Sequence, residues 1–486
     1  MYEMCLTNVL LMLELGGIPL LSKDRSEDDP LVLCGGAGCV NPVPFENIFD
    51  LIQIGEGEEM LPAIVQAYET ASSKKEFYQK ALSITGVYLP SYPYKPDFQV
   101  TRAIIPDMNQ SPYPESFVVP FIPAIHDRIV AEIMRGCPRG CRFCQAGIMY
   151  RPVRQKSLET ILKQIDSIAR STGYEEISLS SLSTTDYGCL KELVEELNRR
   201  YEEEKIALSL PSLRMDAFSM DLAKKVQKVK KGTLTFAPEA GSQRMRDVIN
   251  KNLNESDILS ALEDAFRSGY SKIKLYFMIG LPYETMEDVE GIYYLTEKIR
   301  SLFYSISKEE RDKSLSLSVS CACFVPKAFT PFQWAQQDTI ETFKEKALHL
   351  KRMMDKSVRF HYHDPRLSVL EGTFARGGRE LNEVLVSAYE KGCIFDSWDD
   401  FFDFEKWQEA FADHGLSLTD YAARTFKEED SLPWDFVNIG VTKAFLKREN
   451  QKAKEALTTP NCKENCAGCG IVKTYGGCMY AVKSEL

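Results

Sequence analysis

Three cysteines in the first half of the chain have the types and spacing of metal ligands. Cys137, Cys141 and Cys144 follow the pattern Cys-x3-Cys-x2-Cys in a segment rich in glycine and proline. Soft thiolates suit iron–sulfur clusters, zinc or Cu(I). A four-iron cluster normally takes four thiolates, so three leave one iron open to a substrate or a second cofactor. A structural zinc knuckle predicts a fourth Cys or His close by, but the next cysteine is Cys189. The pattern therefore favours a catalytic cluster.

A second set of cysteines lies near the C-terminus. Cys462, Cys466 and Cys469 repeat the same spacing, and Cys478 follows nine residues later. Four thiolates predict a closed site, either a structural or electron-relay iron–sulfur cluster or an all-cysteine zinc site. No strand pattern precedes this set and no helical pattern follows it. Unligated thiols in an exposed turn invite oxidation, so we expect these cysteines to bind a metal.

Composition restricts the class of protein. The 486 residues are 44% hydrophobic, which is enough for a large core and argues against disorder. The net charge of −11 does not indicate nucleic-acid binding, which needs a basic surface. The apolar run from Val9 to Leu21 is short and broken, so no membrane span is expected. The N-terminus has no basic region typical of a secretion signal. We therefore expect a cytoplasmic protein whose cysteines are reduced or bound to metal.

Alternating strands and helices position the first cysteine set. Residues 128–134 read as a buried strand that leads into the cysteine loop, and Ser157 is predicted to cap the next helix. Repeated strand–helix units predict a parallel sheet. Six units suit an incomplete (β/α)6 barrel with its chemistry at the carboxyl ends of the strands. The predicted strands are 128–134, 176–181, 206–211, 232–239, 272–278 and 314–324. Predicted helices include one marked by Leu222, Val226 and Val229, and one from Thr285 to about Ser305.

The barrel is predicted to span residues 126–365, with other segments on either side. Residues 1–85 read as a half Rossmann-like α/β segment, with a helix at 6–15, strands at 31–36 and 51–59, and a helix from 60 to about 71. Residues 86–125 are rich in proline and aromatic residues and read as a linker packed on a surface. Residues 366–486 are predicted to form a mostly helical C-terminal region that contains the second cysteine set.

The cysteine loop, with Phe143 directly before its third cysteine, resembles the signature of the radical S-adenosylmethionine (SAM) enzymes. The resemblance implies a [4Fe–4S] cluster on Cys137, Cys141 and Cys144. The open iron of that cluster would chelate SAM, whose reductive cleavage yields a 5′-deoxyadenosyl radical. Two strand ends also resemble the family, Ala237–Ser242 and Leu275–Thr285. By resemblance, Phe143 and Ile279 would line the adenine of SAM, while Ser180 and Glu239 would contact its polar parts. Ser180 lies where many members carry Gly-Gly-Glu. A simpler interpretation of Glu239 is a cap of the following helix.

The rest of the chain resembles one uncharacterised branch of this superfamily. Residues 1–85 are similar to the second half of a cobalamin-binding domain, and the chain is expected to begin inside that domain. The Asp-x-His-x-x-Gly pattern for a lower axial histidine is absent, because His126 is the first histidine. Cobalamin binding is therefore not expected. The segments Val325–Trp334 and His361–Arg366 resemble the same branch. His361 and His363 would point the same way on a strand.

The resemblance implies a radical SAM enzyme that abstracts hydrogen from, or transfers a group to, an unidentified substrate. It also implies a low-potential electron donor of the flavodoxin or ferredoxin type. Auxiliary clusters are common in this superfamily, which favours iron–sulfur over zinc at the C-terminal cysteines. Two alternatives stay open. One is a metal-stabilised structural or interaction protein without SAM chemistry, and the other is methyl or methylthio transfer to RNA or protein.

Overall fold

The computed structural model describes residues 1–122, 124–210, 214–215, 233–311 and 314–480. It contains two compact units, each built from three separate stretches of chain. The prediction instead divided the chain into consecutive segments. Residues 448–486 belong to the unit that also contains the Cys137 loop, whereas residues 363–447 belong to the unit that contains the N-terminus. The first unit comprises Met1–Ile105, Cys323–Lys344 and His363–Lys447, and the second comprises Pro106–Ala322, Glu345–Tyr362 and Arg448–Leu486.

The described part of the chain contains both β-strands and α-helices, as predicted. No described helix has the length and apolar character needed to cross a membrane. The strands are β1 (Leu33–Cys34), β2 (Leu51–Gln53), β3 (Val87–Tyr88), β4 (Val100–Thr101), β5 (Ile129–Glu132), β6 (Met134–Arg135), β7 (Arg154–Gln155), β8 (Glu176–Ser180), β9 (Ala207–Ser209), β10 (Leu234–Glu239), β11 (Lys272–Ile279), β12 (Ser316–Cys323), β13 (Val358–Tyr362) and β14 (Val437–Asn438). The α-helices are α1 (Leu6–Leu15), α2 (Gly57–Glu69), α3 (Lys74–Ala81), α4 (Gln145–Met149), α5 (Leu158–Thr172), α6 (Leu190–Tyr201), α7 (Gln243–Val248), α8 (Glu255–Arg267), α9 (Met286–Ser305), α10 (Ile340–Met353), α11 (Pro365–Arg376), α12 (Leu381–Glu390), α13 (Phe404–Asp413), α14 (Leu418–Ala423), α15 (Lys443–Lys454) and α16 (Ile471–Tyr475).

The second unit is a partial barrel of parallel strands, as predicted. Strands β5, β8 and β9 form one parallel sheet in that order. Strands β10, β11, β12 and β13 form a second sheet in that order, with parallel pairing of β10 with β11 and of β12 with β13. A strand lies in each of the six predicted positions. Strand β13 adds a seventh, and it contains His361 but not His363.

Local sequence signals explain where the barrel helices begin. Ser157 caps α5 by accepting a hydrogen bond from the Thr160 amide. The apolar side chains on the inner face of α5 are buried: Ile161, Leu162, Ile165 and Ile168. Thr285 caps α9, and its capping box with Asp288 satisfies two amides that the helix itself leaves open. Both starts confirm the prediction. The helix predicted from Leu222, Val226 and Val229 lies outside the described residues.

The N-terminal segment differs in detail from the prediction. Strand β2 ends at Gln53 and α2 begins at Gly57, whereas a strand to residue 59 and a helix from residue 60 were predicted. The cause is a sharp turn at Gly55, where φ is +126°. A Cβ at this position would lie 2.3 Å from the carbonyl oxygen of Ala103, so only glycine fits. The predicted linker also contributes strands, because β3 pairs with β2 and β4 pairs with β14.

A glycine contact holds α9 against the loop that follows β10. A Cβ on Gly241 would lie 2.0 Å from the amide nitrogen of Ile292 and 2.2 Å from the carbonyl carbon of Gly291. Both of those atoms are backbone, so no side chain can turn aside to make room. The loop that follows Glu239 can therefore approach α9 closely only without a side chain at residue 241.

We expect Gly241→Ala to lower the free energy of unfolding by about 2 kcal/mol, because the added methyl group must push α9 away from the loop. Urea unfolding followed by circular dichroism measures this loss. Gly57→Ala is the matched control, since a Cβ there meets nothing within 4 Å. Equal stability of the two variants would contradict the proposed close approach.

Candidate metal and cofactor site

The Cys137 loop is held at its base by a short hairpin. Strand β6, directly before the loop, pairs antiparallel with β7, directly after α4. Gly136 stands at the start of the loop with φ of +88°, and a Cβ there would lie 2.7 Å from the carbonyl oxygen of Tyr150. Cys144 caps α4, because its Sγ accepts a hydrogen bond from the Gly147 amide at 3.3 Å. The pairing of β6 with β7 therefore holds the two ends of the loop segment together. The cap by Cys144 fixes the point at which the loop passes into α4.

The three thiols of this loop face one cavity of about 250 Å³. All 14 cysteines of the chain are free. Phe143 and Glu239, both predicted site residues, also line the cavity. The structure thus gathers five of the residues predicted for cluster and SAM binding round one space. The other described polar side chains on its wall are Arg139, Ser183, Arg214 and Lys251.

The three thiols are half-buried and lie close enough to influence one another. Burial, followed by the neighbouring Cys141 thiol, raises the pKa of Cys137 to about 12 and the pKa of Cys144 to about 11. Protonated thiols must lose their protons to bind a metal. As the side chains stand, no three His, Cys, Asp or Glu groups among the described residues form a ready metal site. Three soft donors round one cavity nevertheless fit a thiolate-bound iron–sulfur cluster in kind and number.

Glu239 enters the cavity from a distorted strand end. The register of β10 against β11 shifts between Phe236 and Glu239, and Glu239 has a φ of +69°. Its Oε1 lies 3.1 Å from Nζ of Lys251, which gives the wall a paired negative and positive charge. The simpler interpretation of Glu239 as a helix cap is wrong. Ser242 caps α7, where it accepts a hydrogen bond from the Met245 amide.

Two predicted SAM contacts are not among the described residues that line this cavity. Ser180 ends β8, and its carbonyl oxygen accepts a hydrogen bond from the Ile133 amide at 3.0 Å. Leu182 and Ser183, just beyond that strand, line the cavity instead. Ile279 ends β11 with its side chain wholly buried. The roles of Ser180 and Ile279 therefore stay predictions from the family resemblance.

Sequence reasoning missed Asp186, which joins the two cysteine segments. Asp186 is 2% exposed. Its carboxylate accepts hydrogen bonds from Arg139 at 2.8 and 2.9 Å and lies 2.9 Å from Nζ of Lys463. Burial acts to raise the pKa of Asp186, but Arg139, Ser183 and Lys463 outweigh burial and lower the pKa to about 2. No motif marks this residue, because its partners come from distant parts of the chain.

The C-terminal cysteine segment lies against the Cys137 loop in the same unit. The Cys462 amide donates a hydrogen bond to the carbonyl oxygen of Pro138 at 2.9 Å. The expectation that no helix follows this segment is wrong, because α16 begins directly after Gly470. A glycine in the left-handed backbone conformation flanks α16 at each end, Gly470 with φ of +102° and Gly476 with φ of +72°. With only five residues, α16 is too short to show a helical period in the sequence.

Comparisons with known families agree with this geometry. A family model described as the radical SAM superfamily matches residues 131–295, which include the Cys137 loop and strands β8 to β11. A second model, described as the N-terminal region of radical SAM proteins, matches residues 1–90.

Three curated relatives and one solved structure are also similar to this chain. An uncharacterised protein of Methanocaldococcus jannaschii is 29% identical over 392 residues, 77% of this chain and 80% of that protein. An uncharacterised methyltransferase of Pyrococcus horikoshii is 24% identical over 51% of this chain and 53% of its own length. The ribosomal protein uS12 methylthiotransferase RimO of Petrotoga mobilis is 24% identical over 58% of this chain and 67% of its own length. The methyltransferase TsrM from Kitasatospora setae, solved with cobalamin and a [4Fe–4S] cluster, has a TM-score of 0.44 at 12% identity, over 88% of this chain and 82% of TsrM.

The partial parallel barrel, with three thiols in the loop after its first strand, has the architecture of an enzyme that holds a thiolate-bound cofactor at its strand ends. Together with the matching family models, these features show that the chain belongs to the radical SAM superfamily. It is a radical SAM enzyme, of a class that uses a [4Fe–4S] cluster and SAM.

Thiol burial predicts slow alkylation of the metal-free protein. With a pKa of about 12 for Cys137, roughly one thiol in ten thousand is a thiolate at pH 8. We therefore expect iodoacetamide to modify exposed Cys189 far faster than Cys137, as measured by peptide mass spectrometry. Because the pKa of Cys137 is raised on folding, the metal-free fold should also lose stability as the pH rises above about 9.

The same alkylation in guanidinium chloride is the control, since unfolding removes the burial that raises the pKa. Rates for Cys137 and Cys189 should then converge. Equal rates in the folded protein would show that the Cys137 thiol is not buried as described.

Proposed function

We propose that this chain cleaves SAM reductively at the cavity lined by Cys137, Cys141 and Cys144 and uses the product to act on a separate substrate. The convergence of these three free thiols on one cavity at the strand ends carries the proposal. When bound there, a [4Fe–4S] cluster supplies the electron that cleaves SAM to methionine and a 5′-deoxyadenosyl radical. The three cysteines would hold this cluster and leave one iron for SAM.

The charged pair on the cavity wall supports a role in SAM binding. SAM carries an ammonium and a carboxylate on its amino-acid end. Glu239 offers a negative charge to the first, and Lys251 offers a positive charge to the second, from positions 3.1 Å apart. Both side chains are largely buried, where charge–charge interactions are stronger than in water. Phe143 adds an aromatic surface to the same wall.

A low-potential electron donor of the flavodoxin or ferredoxin type is the partner that this chemistry needs. Methyl or methylthio transfer is a second candidate for the overall reaction, favoured by the activities named for the Pyrococcus and Petrotoga relatives. The alternative of a metal-stabilised structural protein is excluded by the match to the radical SAM family model. The Glu239–Lys251 pair beside the thiols also argues against it, because a purely structural site needs no buried charged pair on an adjoining cavity wall.

We expect anaerobic reconstitution with iron and sulfide, followed by dithionite and SAM, to yield 5′-deoxyadenosine, measured by liquid chromatography. Cys141→Ala should abolish the product and the visible absorbance of the cluster, because one lost ligand destabilises the cluster more than the barrel. Cys189→Ala, which removes an exposed cysteine, should retain both. A reducible wild-type cluster that yields neither 5′-deoxyadenosine nor S-adenosylhomocysteine would overturn the proposal.

The sequence lacks the pattern for a lower axial histidine, so we expect no stoichiometric cobalamin binding by this chain. Equilibrium dialysis against hydroxocobalamin measures this, with serum albumin as a control for nonspecific uptake. Binding at one cobalamin per chain would contradict the expectation and would support a cobalamin-dependent methyl transfer.

A further inference from the structure

The C-terminal cysteine segment is anchored to the barrel unit by its backbone. The carbonyl oxygen of Thr459 accepts hydrogen bonds from the side-chain amides of Asn250 and Asn252 at 3.2 and 3.0 Å. The Thr459 amide donates to Oδ1 of Asn250 at 2.7 Å. Three residues later, the Cys462 amide donates a hydrogen bond to the carbonyl oxygen of Pro138 in the first cysteine loop. The segment therefore enters its cysteine turn along a fixed path.

Asp186 fixes the two cysteine loops against each other. It binds Arg139, which lies between Cys137 and Cys141, and Lys463, which follows Cys462. The carboxylate is 2% exposed. A buried carboxylate is stable as an ion only when its charge is paired and its oxygens are hydrogen-bonded. Asp186 therefore holds one cation from each loop, which brings the loops together.

A buried cation lies beside the C-terminal thiols. Cys466, Cys469 and Cys478 are all close enough to Cys462 to interact with it electrostatically. Arg151 is 3% exposed, and it donates to the carbonyl oxygens of Gly147 at 3.2 Å and Arg139 at 3.3 Å. Its guanidinium also lies beside the thiols of Cys469 and Cys462.

We propose that Cys462, Cys466, Cys469 and Cys478 form a four-thiolate metal site, and that Asp186 is the positioning residue that seats this site against the Cys137 loop. Four thiolates on zinc or on a four-iron cluster carry a net charge of about −2. A buried negative charge needs a nearby cation, and Arg151 supplies one from the Cys137 side. The proposal is independent of SAM cleavage, because it concerns only metal binding by this segment.

Metal analysis of anaerobically purified full-length protein tests the site. We expect wild-type protein to carry about twice the iron of the Cys462→Ala/Cys466→Ala variant if the site holds an iron–sulfur cluster. Equal iron, with zinc lost from the variant, would identify the four-thiolate site as a zinc site. Equal iron and equal zinc in both proteins would overturn the proposal.

Two further variants separate this site from other causes of metal loss. Cys5→Ala/Cys189→Ala removes two exposed cysteines and should leave the metal content unchanged. Cys137→Ala/Cys141→Ala/Cys144→Ala should lose only the metal of the first loop and keep the C-terminal metal. Failure of SAM cleavage alone would therefore leave the C-terminal site supported, whereas failure of this proposal would leave SAM cleavage untouched.

Asp186→Asn tests the positioning role. We expect the metal-free protein to bind Co²⁺ about tenfold more weakly at the C-terminal thiols, measured by thiolate-to-cobalt absorbance in the Cys137→Ala/Cys141→Ala/Cys144→Ala background. Trypsin should also cleave faster at Lys463 and Lys473, because the C-terminal cysteine segment loses its ion pair with Asp186. Asp166→Asn is the matched control, since Asp166 pairs with Arg200 and Tyr201 instead.

Lys463→Gln breaks the same link from the segment side and leaves the Asp186–Arg139 pair in place. It should reproduce the faster trypsin cleavage at Lys473, and it covers the case in which Asp186→Asn does not fold. Unchanged Co²⁺ affinity and unchanged cleavage in the folded variants would overturn the positioning role of Asp186.

Discussion

The buried carboxylate of Asp186 is the interaction on which the arrangement of the two cysteine segments depends. It lies six residues after the end of β8 and pairs with Arg139 in one segment and Lys463 in the other. Each pair is nearly closed to solvent at the carboxylate, so screening by water and salt is weak there. Removal of the carboxylate would leave two cations without their common partner at a largely buried position, which is costlier than the loss of a surface ion pair. The interaction therefore constrains the loops strongly even though it involves only three side chains.

Burial of the thiols links folding to metal binding. The barrel holds Cys137 and Cys144 where their protonated forms are favoured. A metal ion or cluster reverses this preference, because it binds thiolates and releases their protons. Metal binding at this loop is therefore coupled to the release of protons from the thiols.

Distortion at a strand end gives the cavity its charged wall. The register shift in β10 turns Glu239 into a left-handed backbone conformation, from which its side chain meets Lys251. Bulges of this kind re-aim side chains beside active sites. The close approach of Gly241 to α9 then fixes the path of the chain directly after Glu239. Packing of one loop against one helix therefore supports Glu239, a residue of the proposed cofactor site.

Much of the architecture was determined by the sequence alone, because it depends on local patterns. Alternating apolar residues and caps at Ser157 and Thr285 predicted the strands and helices of the barrel, and the Cys137 spacing predicted the cluster loop. The tertiary structure decided what depends on contacts between distant residues. It placed residues 448–480 beside the Cys137 loop and chose Asp186 as their common partner. It also turned Glu239 towards Lys251 rather than to a helix start. No local pattern encodes such contacts, because the energy of a buried ion pair or a glycine contact depends on which chain segments fold against each other.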